Sequence, residues 1–447
     1  MKISANRKLF YPLLAALLLF CAACNQDPIF HIISQEIKPR PPRVPGTPTA
    51  MVLFEREYPA DSGERVPVVY IASAATLYWY ARPDKQDDVN PTDQYWEKQK
   101  GDKWWNTAKG KVRQPGGTGR ILGLAATDNY LYALYQKQLK RIKSDSEPNA
   151  PWEDVPNAAN EQISFDTIFS SNNRIFIGGL LPQKDKSIPC AILYVDGDDK
   201  IQLLKDNTHL LKGVAFNGAS HFLCVNNLYA NGGSIFKLND SSFSSPPPAD
   251  LADTKNSADA TKSNLPFTGI ISLEDGVGTS TIIAMDRPGI LYTINDTDNT
   301  FTSTGKNIGR STGGLALWRD PQSPEWDAND LSKKPRPKLL LAGYQGELIL
   351  TTSTGYTNGY FEFELKWNQD GTLDITSDFI GPGKSDGSTT IDNNERYLST
   401  IGKYPINSFF QTPKDIDENM TLFASTVNEG LWSYRGRDRL TQWNAEE

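Results

Sequence analysis

Short apolar runs rich in Val, Ile, Leu, Tyr and Phe recur along the chain, separated by Gly, Asn, Asp or Ser clusters. Such runs read as strands and the polar clusters between them as turns. The clearest units are paired: 68–73 with 75–81, 130–135 with 139–143, 174–180 with 191–195, and 221–225 with 234–238. They continue as 281–285 with 289–294, 338–342 with 347–351, and 420–425 with 430–434. Each pair is preceded by another strand-like run, at 50–56, 120–126, 163–169, 211–216, 267–273, 312–318 and 406–411. The same unit therefore returns seven times, at irregular spacings near 40 to 90 residues. That spacing is at or above the length of a four-stranded propeller blade. A single hairpin of this kind cannot bury its apolar faces, whereas sheets arranged radially bury each other's. The pattern predicts an all-β chain folded as a seven-bladed β-propeller of four-stranded blades. Eight blades, or six with an appended hairpin, stay open because 372–380 also reads as a strand, and a series of two-sheet sandwiches is the competing class. The last repeat offers a fourth strand at 440–443, so the mode of ring closure is not legible.

Long polar insertions break the pattern at 84–111, 241–264, 320–336 and 381–394. Segment 241–264 is rich in Ser, Pro, Asp and Ala, and reads as a mobile loop without strands. Segment 84–111 differs in carrying Tyr95, Trp96, Trp104 and Trp105, a composition suited to a cap on the core or a contact patch.

The first 48 residues follow another logic. Lys2, Arg7 and Lys8 precede a short apolar run, and Ala22 and Ala23 precede Cys24. The run is too short for a membrane span and has the flanks of a secretory signal. Residues 1–23 read as a lipoprotein signal peptide and Cys24 as the lipidated first residue of the mature chain, with Cys21 where a Leu is usual. Pro28, Pro39, Pro41, Pro42, Pro45 and Pro48 make 24–48 an extended stalk, leaving 49–447 as the propeller. The expected location is the outer membrane, lipid-anchored and exposed at the cell surface. Charge adds an exclusion: the chain's net charge falls from −7 to −10 once Lys2, Arg7 and Lys8 are cleaved away. Nucleic acid needs a basic field and is not an expected partner.

Reactive chemistry is sparse. His209 and His221 are the histidines after the stalk, and neither has a partner at metal-ligand spacing. His221 lies in an apolar strand and reads as a satisfied core residue; a Ser-His-Asp constellation, which assembles in space, has almost no histidine to draw on. Cys190 and Cys224 are either a disulfide or two buried thiols. Strings resembling nucleotide or calcium loops fail on inspection. Asp378 stands where a P-loop before Gly383, Lys384 and Ser385 needs glycine, and Asn307 where a calcium loop beginning at Asp296 needs glutamate. The expectation is no catalytic residue, no metal and no cofactor.

One resemblance adds to this. The signal, the relaxed cleavage site, the Pro-rich stalk and the string from Asp392 to Leu398, with Asn394, Glu395, Arg396 and Tyr397 at its heart, resemble the treponemal fibronectin-binding outer-membrane lipoproteins. The resemblance implies a surface adhesin for host fibronectin, with laminin, other matrix glycoproteins and cell receptors as further partners. It assigns partner contact to Asn394, Glu395, Arg396 and Tyr397. Two other classes fit the pattern: a periplasmic lipid-anchored scaffold in an outer-membrane assembly complex, and a propeller enzyme acting on glycans.

Overall fold

A computed structural model describes residues 44–446 except 58–64, 82–113, 147–149, 160–161, 183–189, 208, 227–231, 245–251, 257–264, 275–279, 308–314, 320–337, 343–359, 368–372, 381–400, 402–403, 405, 414–419 and 435–442. Cys24, the stalk to residue 43, the insertions at 84–111, 320–336 and 381–394, and Asn394 to Tyr397 lie outside the described residues.

The described strands form seven sheets in chain order, antiparallel apart from one short parallel pair in the fifth. The first holds β1 (Pro48–Glu57), β2 (Arg65–Ser73) and β3 (Thr76–Ala81). The second holds β4 (Gly123–Ala126), β5 (Tyr130–Leu134), β6 (Leu139–Lys143) and β7 (Glu153–Asp154). In the third are β8 (Ser164–Ser171), β9 (Arg174–Leu180), β10 (Cys190–Val195) and β11 (Ile201–Asn207). The fourth comprises β12 (Leu210–Phe216), β13 (Ser220–Asn226), β14 (Gly233–Asn239) and β15 (Ala252–Asp253). The fifth pairs β17 (Phe267–Glu274), β18 (Ser280–Asp286), β19 (Ile290–Asn295) and β20 (Thr300–Asn307), and adds β16 (Lys255–Asn256) parallel to β20. The sixth holds β21 (Leu315–Trp318), β22 (Lys338–Ala342), β23 (Tyr360–Trp367) and β24 (Leu373–Ile380). The last holds β25 (Ile406–Gln411), β26 (Leu422–Thr426), β27 (Leu431–Tyr434) and β28 (Asn444–Ala445).

The first strands organise the whole. β1 packs on β4, β4 on β8, β8 on β12, β12 on β17, β17 on β21, β21 on β25, and β25 back on β1. This closed radial order defines an all-β propeller. Burial follows from it. β10 is buried along its whole length and β9 at its five central positions, because a neighbouring sheet covers each face. Phe176, Ile192 and Tyr194 of the third sheet meet Leu211, Leu223 and Val225 of the fourth in one such layer. Phe222, Cys224 and Ile235 meet Phe267, Ile282 and Phe301 in the next.

Among the described residues no strand is exchanged to close the ring, and the last sheet supplies its own four. The chain just before β1 is bonded to the β26–β27 turn instead: Gly430 N–H donates to Gly46 O (2.9 Å) and Asn428 N–H to Thr47 Oγ1 (2.9 Å). Val44 is fully buried against Val69, Ile71, Phe423 and Leu431.

Four expectations are corrected. Uniform four-stranded sheets do not hold: the first sheet shows three strands among the described residues and the fifth has five. β22 pairs with β23, not with 347–351, which lies outside the described residues; 372–380 is that sheet's fourth strand. The nearer apolar run attracted the reading, but the longer strand buries Leu365 completely. Segment 241–264 contains β15 and β16, whose two-residue length carries no periodicity; Thr254 between them is buried, and its N–H and Oγ1–H both donate to Ile235 O at 2.9 Å. The last outer strand is Asn444–Ala445, not 440–443, and Trp443 is buried beside it in an apolar cluster.

Candidate functional site

Two polar features repeat around the ring. The first is a bulge near the start of the first strand, where an extra residue stands unpaired. It recurs in five sheets, and the extra residue is polar each time: Thr49, Asp166, Lys212, Thr268 and Asn407. All five are half-buried. Several reach beyond their own strand: Thr49 Oγ1 donates to Ile121 O (2.9 Å), and Asn407 Nδ2 to Pro48 O (3.3 Å). Asp166 and Lys212 act on the same thiol. Burial pushes Cys190 up to about 11, Asp166 adds to the rise and Lys212 opposes it. The collar offers hydroxyls, an amide, a carboxylate and an ammonium group along the innermost strands.

The second feature lies at the turns that join first to second strands and third to fourth strands. Asp199, Asp240 and Asp296 close the third-strand turns of the third, fourth and fifth sheets. Each takes a cation from the sheet before it. Arg141 Nη1 lies 2.7 Å from Asp199, Arg174 Nε donates to Asp240 (3.2 Å), and Lys237 Nζ pairs with Asp296 and donates to its backbone O (2.8 Å). Asp128 and Asn173 exchange hydrogen bonds between the second and third sheets, with Asp128 N–H donating to Asn173 Oδ1 at 2.9 Å. Asn172 and Asn173 both hold positive φ (44° and 59°), a conformation asparagine tolerates in tight turns.

These turns frame a polar cavity of about 190 Å³ lined by Asp128, Tyr130, Asn173, Arg174, Asp196 and Asp199, among others. Its carboxylates are engaged. Burial disfavours the Asp196 charge, but Lys200 N–H, Gln202 Nε2 and Asp198 N–H outweigh it and hold the group below the usual carboxylate range. Arg141 stacks over the Tyr130 ring at 4.4 Å, and burial pushes Tyr132 up to about 12.

His221, expected to be a satisfied core residue, is one. Its side chain is fully buried among Phe176, Phe216 and Phe243. Nδ1 lies 2.9 Å from Ser171 Oγ and Nε2 lies 3.0 Å from Asp240 Oδ1. A carboxylate accepts only, so Nε2 carries the proton and the Ser171 hydroxyl donates to Nδ1. The structure therefore assembles Ser, His and Asp from three strand ends, which the histidine count had argued against. Burial lowers the His221 pKa despite Asp240, and Arg174 lowers it further. Ser171 is itself buried, at 8 % exposure.

The cysteine alternatives resolve to two buried thiols that are not joined in a disulfide. Cys224 shares the face of Phe222 toward the fifth sheet, whereas Cys190 alternates in step with Ile192 and Tyr194, which face the fourth. The fourth sheet stands between them. Among the described residues, no group of three or more His, Cys, Asp or Glu is placed to hold a metal ion, and no helix is long and apolar enough to cross a membrane. The predicted contact residues Asn394, Glu395, Arg396 and Tyr397 fall in the connection between β24 and β25, outside the described residues, as does Cys24. Sequence reading missed the collar and the clasps, because their partners come from different repeats.

No protein-family model matches the chain, and no curated protein matches it. Among solved structures, a luciferin-regenerating enzyme is similar at a TM-score of 0.36 and 7 % identity, covering 69 % of this chain and 88 % of that one.

Proposed function

We propose that this chain is a lipid-anchored binding protein of the outer surface, a seven-bladed propeller that engages host matrix glycoprotein, fibronectin first. The observation that carries the reading is the route by which the chain joins the ring. Gly46 and Thr47 are bonded to the β26–β27 turn, so the last residues of the Pro-rich segment 24–48 are fixed at the end of the ring where second strands turn into third strands. The turns with the aspartate clasps lie at the opposite end. A signal ending at Cys24, a stalk and a rigid ring held at one end suit display of a binding surface. Support for the partner comes from the resemblance carried by Asn394, Glu395, Arg396 and Tyr397, which we assign to host contact. Arg and Tyr side chains are among those that most often anchor interfaces.

The test is binding of the full-length chain to immobilised fibronectin, with laminin, collagen and albumin alongside. Saturable binding to fibronectin above albumin is expected, with loss of about tenfold or more in a folded R396A/Y397A variant, as for hot-spot residues. Binding no greater than to albumin overturns the reading and puts a periplasmic scaffold in its place.

A further inference from the structure

The segment after β14 leaves the fourth sheet as a short 3-10 helix, Asp240–Ser244, then contributes β15 to that sheet and β16 to the fifth. It is a strap that stitches two sheets together at their outer edges. Its start is knotted at Asp240 and Phe243. Asp240 accepts from His221 Nε2 (3.0 Å) and from Arg174 Nε (3.2 Å), and Phe243 packs edge-on against His221, Phe176 and Tyr194. Arg174 also lies over the Phe243 ring at 4.6 Å.

From this geometry we propose that the Ser171–His221–Asp240–Arg174 knot is an acid-released latch that holds the strap to the ring. The charge count around the imidazole is the reason. Among the described residues, the charged groups that face it are Asp240 and Arg174; Lys237, on the adjacent strand, is engaged by Asp296. Asp240 is thus already matched by Arg174 when His221 is neutral. A proton on Nδ1 adds a further positive charge to a fully buried imidazole, beside Asp240 and Arg174 that are themselves partly exposed, and it takes away the acceptor that the Ser171 hydroxyl uses. Phe176, Phe216 and Phe243 supply rings but no carboxylate.

The direction follows from linkage. A histidine whose closed-state pKa lies below its open-state value stabilises the closed state above about pH 6.5, and that stability is lost as pH falls below it. Asp240 is also held low, by His221 and Arg174 against burial, so it adds a separate loss only in the carboxylate range. The chain has three histidines, of which His31 lies outside the described residues and His209 is half-buried. The window between pH 7.5 and 5.5 therefore reports on few groups.

Hydrogen exchange on the full-length chain, corrected for the intrinsic rate at each pH, tests the latch. Protection of 240–244 and 252–256 is expected to fall by up to about tenfold between pH 7.5 and 5.5, the most that one proton with an open-state pKa near 6.5 allows. In His221→Gln the fall disappears, while in His209→Gln it stays. Should His221→Gln fail to fold, Arg174→Met answers in its place: freeing Asp240 for the imidazolium shrinks the fall. A fall that persists in His221→Gln, that is unchanged in Arg174→Met, or that spreads evenly over all sheets overturns the proposal.

Discussion

At Asp286 a tight turn and a buried charge meet. Its Oδ1 accepts from Gly289 N–H (3.0 Å) and Ile290 N–H (2.7 Å), and Oδ2 from the Tyr292 hydroxyl (2.9 Å), at 2 % exposure. Burial raises its pKa above the usual carboxylate value even though all three bonds pull the other way. A raised folded value means the contribution to stability is complete below about pH 4 and is lost as pH rises through the folded value. Asp286→Asn keeps an acceptor for the turn amides without the charge and is expected to cost little at pH 7. Asp286→Ala orphans buried donors and is expected to cost about 2 to 3 kcal/mol, read from urea denaturation of the two variants side by side. The sequence displayed Asp286 only as a turn residue between two strands. His221 was legible as a core residue because its strand is apolar, yet Ser171 and Asp240, fifty residues before and nineteen after it, were not. A hydrogen-bond partner across two sheets leaves no mark in local pattern.

Inner strands were far more legible than outer ones. β9, β10 and β13 are almost wholly buried, so their composition is dictated by apolar neighbours on both faces. β15, β16 and β28 are two residues long and held by backbone bonds, which any sequence supplies. The bulges were hidden for a related reason: one extra residue interrupts alternation no more than ordinary sequence noise does. Gly233, first in β14, shows how tightly elements meet. A Cβ there would lie 2.4 Å from Leu265 O and 2.5 Å from Val225 O, both backbone atoms that cannot rotate away. Gly233→Ala is expected to lose about 1 to 3 kcal/mol, seen as a lower urea midpoint, since overpacking against backbone forces a shift of the strand.

For the molecule as a whole, closure is the vulnerable step, because the ring is complete only when the first and last sheets meet. Val44, Gly46 and Thr47 belong to that junction although the sequence placed them in the stalk. A chain beginning at residue 42 is expected to keep the thermal midpoint of the full-length protein. One beginning at residue 50 deletes the buried Val44 and the bonds to Asn428 and Gly430, and is expected to melt several degrees lower, with exchange rising first in β25 to β27.

The sequence by itself determined that this chain is built of apolar hairpins that need neighbours, because alternation and burial are properties of each strand and are written locally. The expectation of a signal, a lipidated Cys24 and a stalk in residues 1–48 likewise rests on the sequence alone, because such segments are read linearly. Tertiary structure alone decided which run pairs with β22, that the Ser-rich insertion stitches two sheets together, that the two cysteines stay apart, and that Asp199, Asp240 and Asp296 each receive a cation from the preceding sheet. Those outcomes depend on where one repeat comes to rest against the next, and that geometry is set by closing the ring rather than by any segment within it.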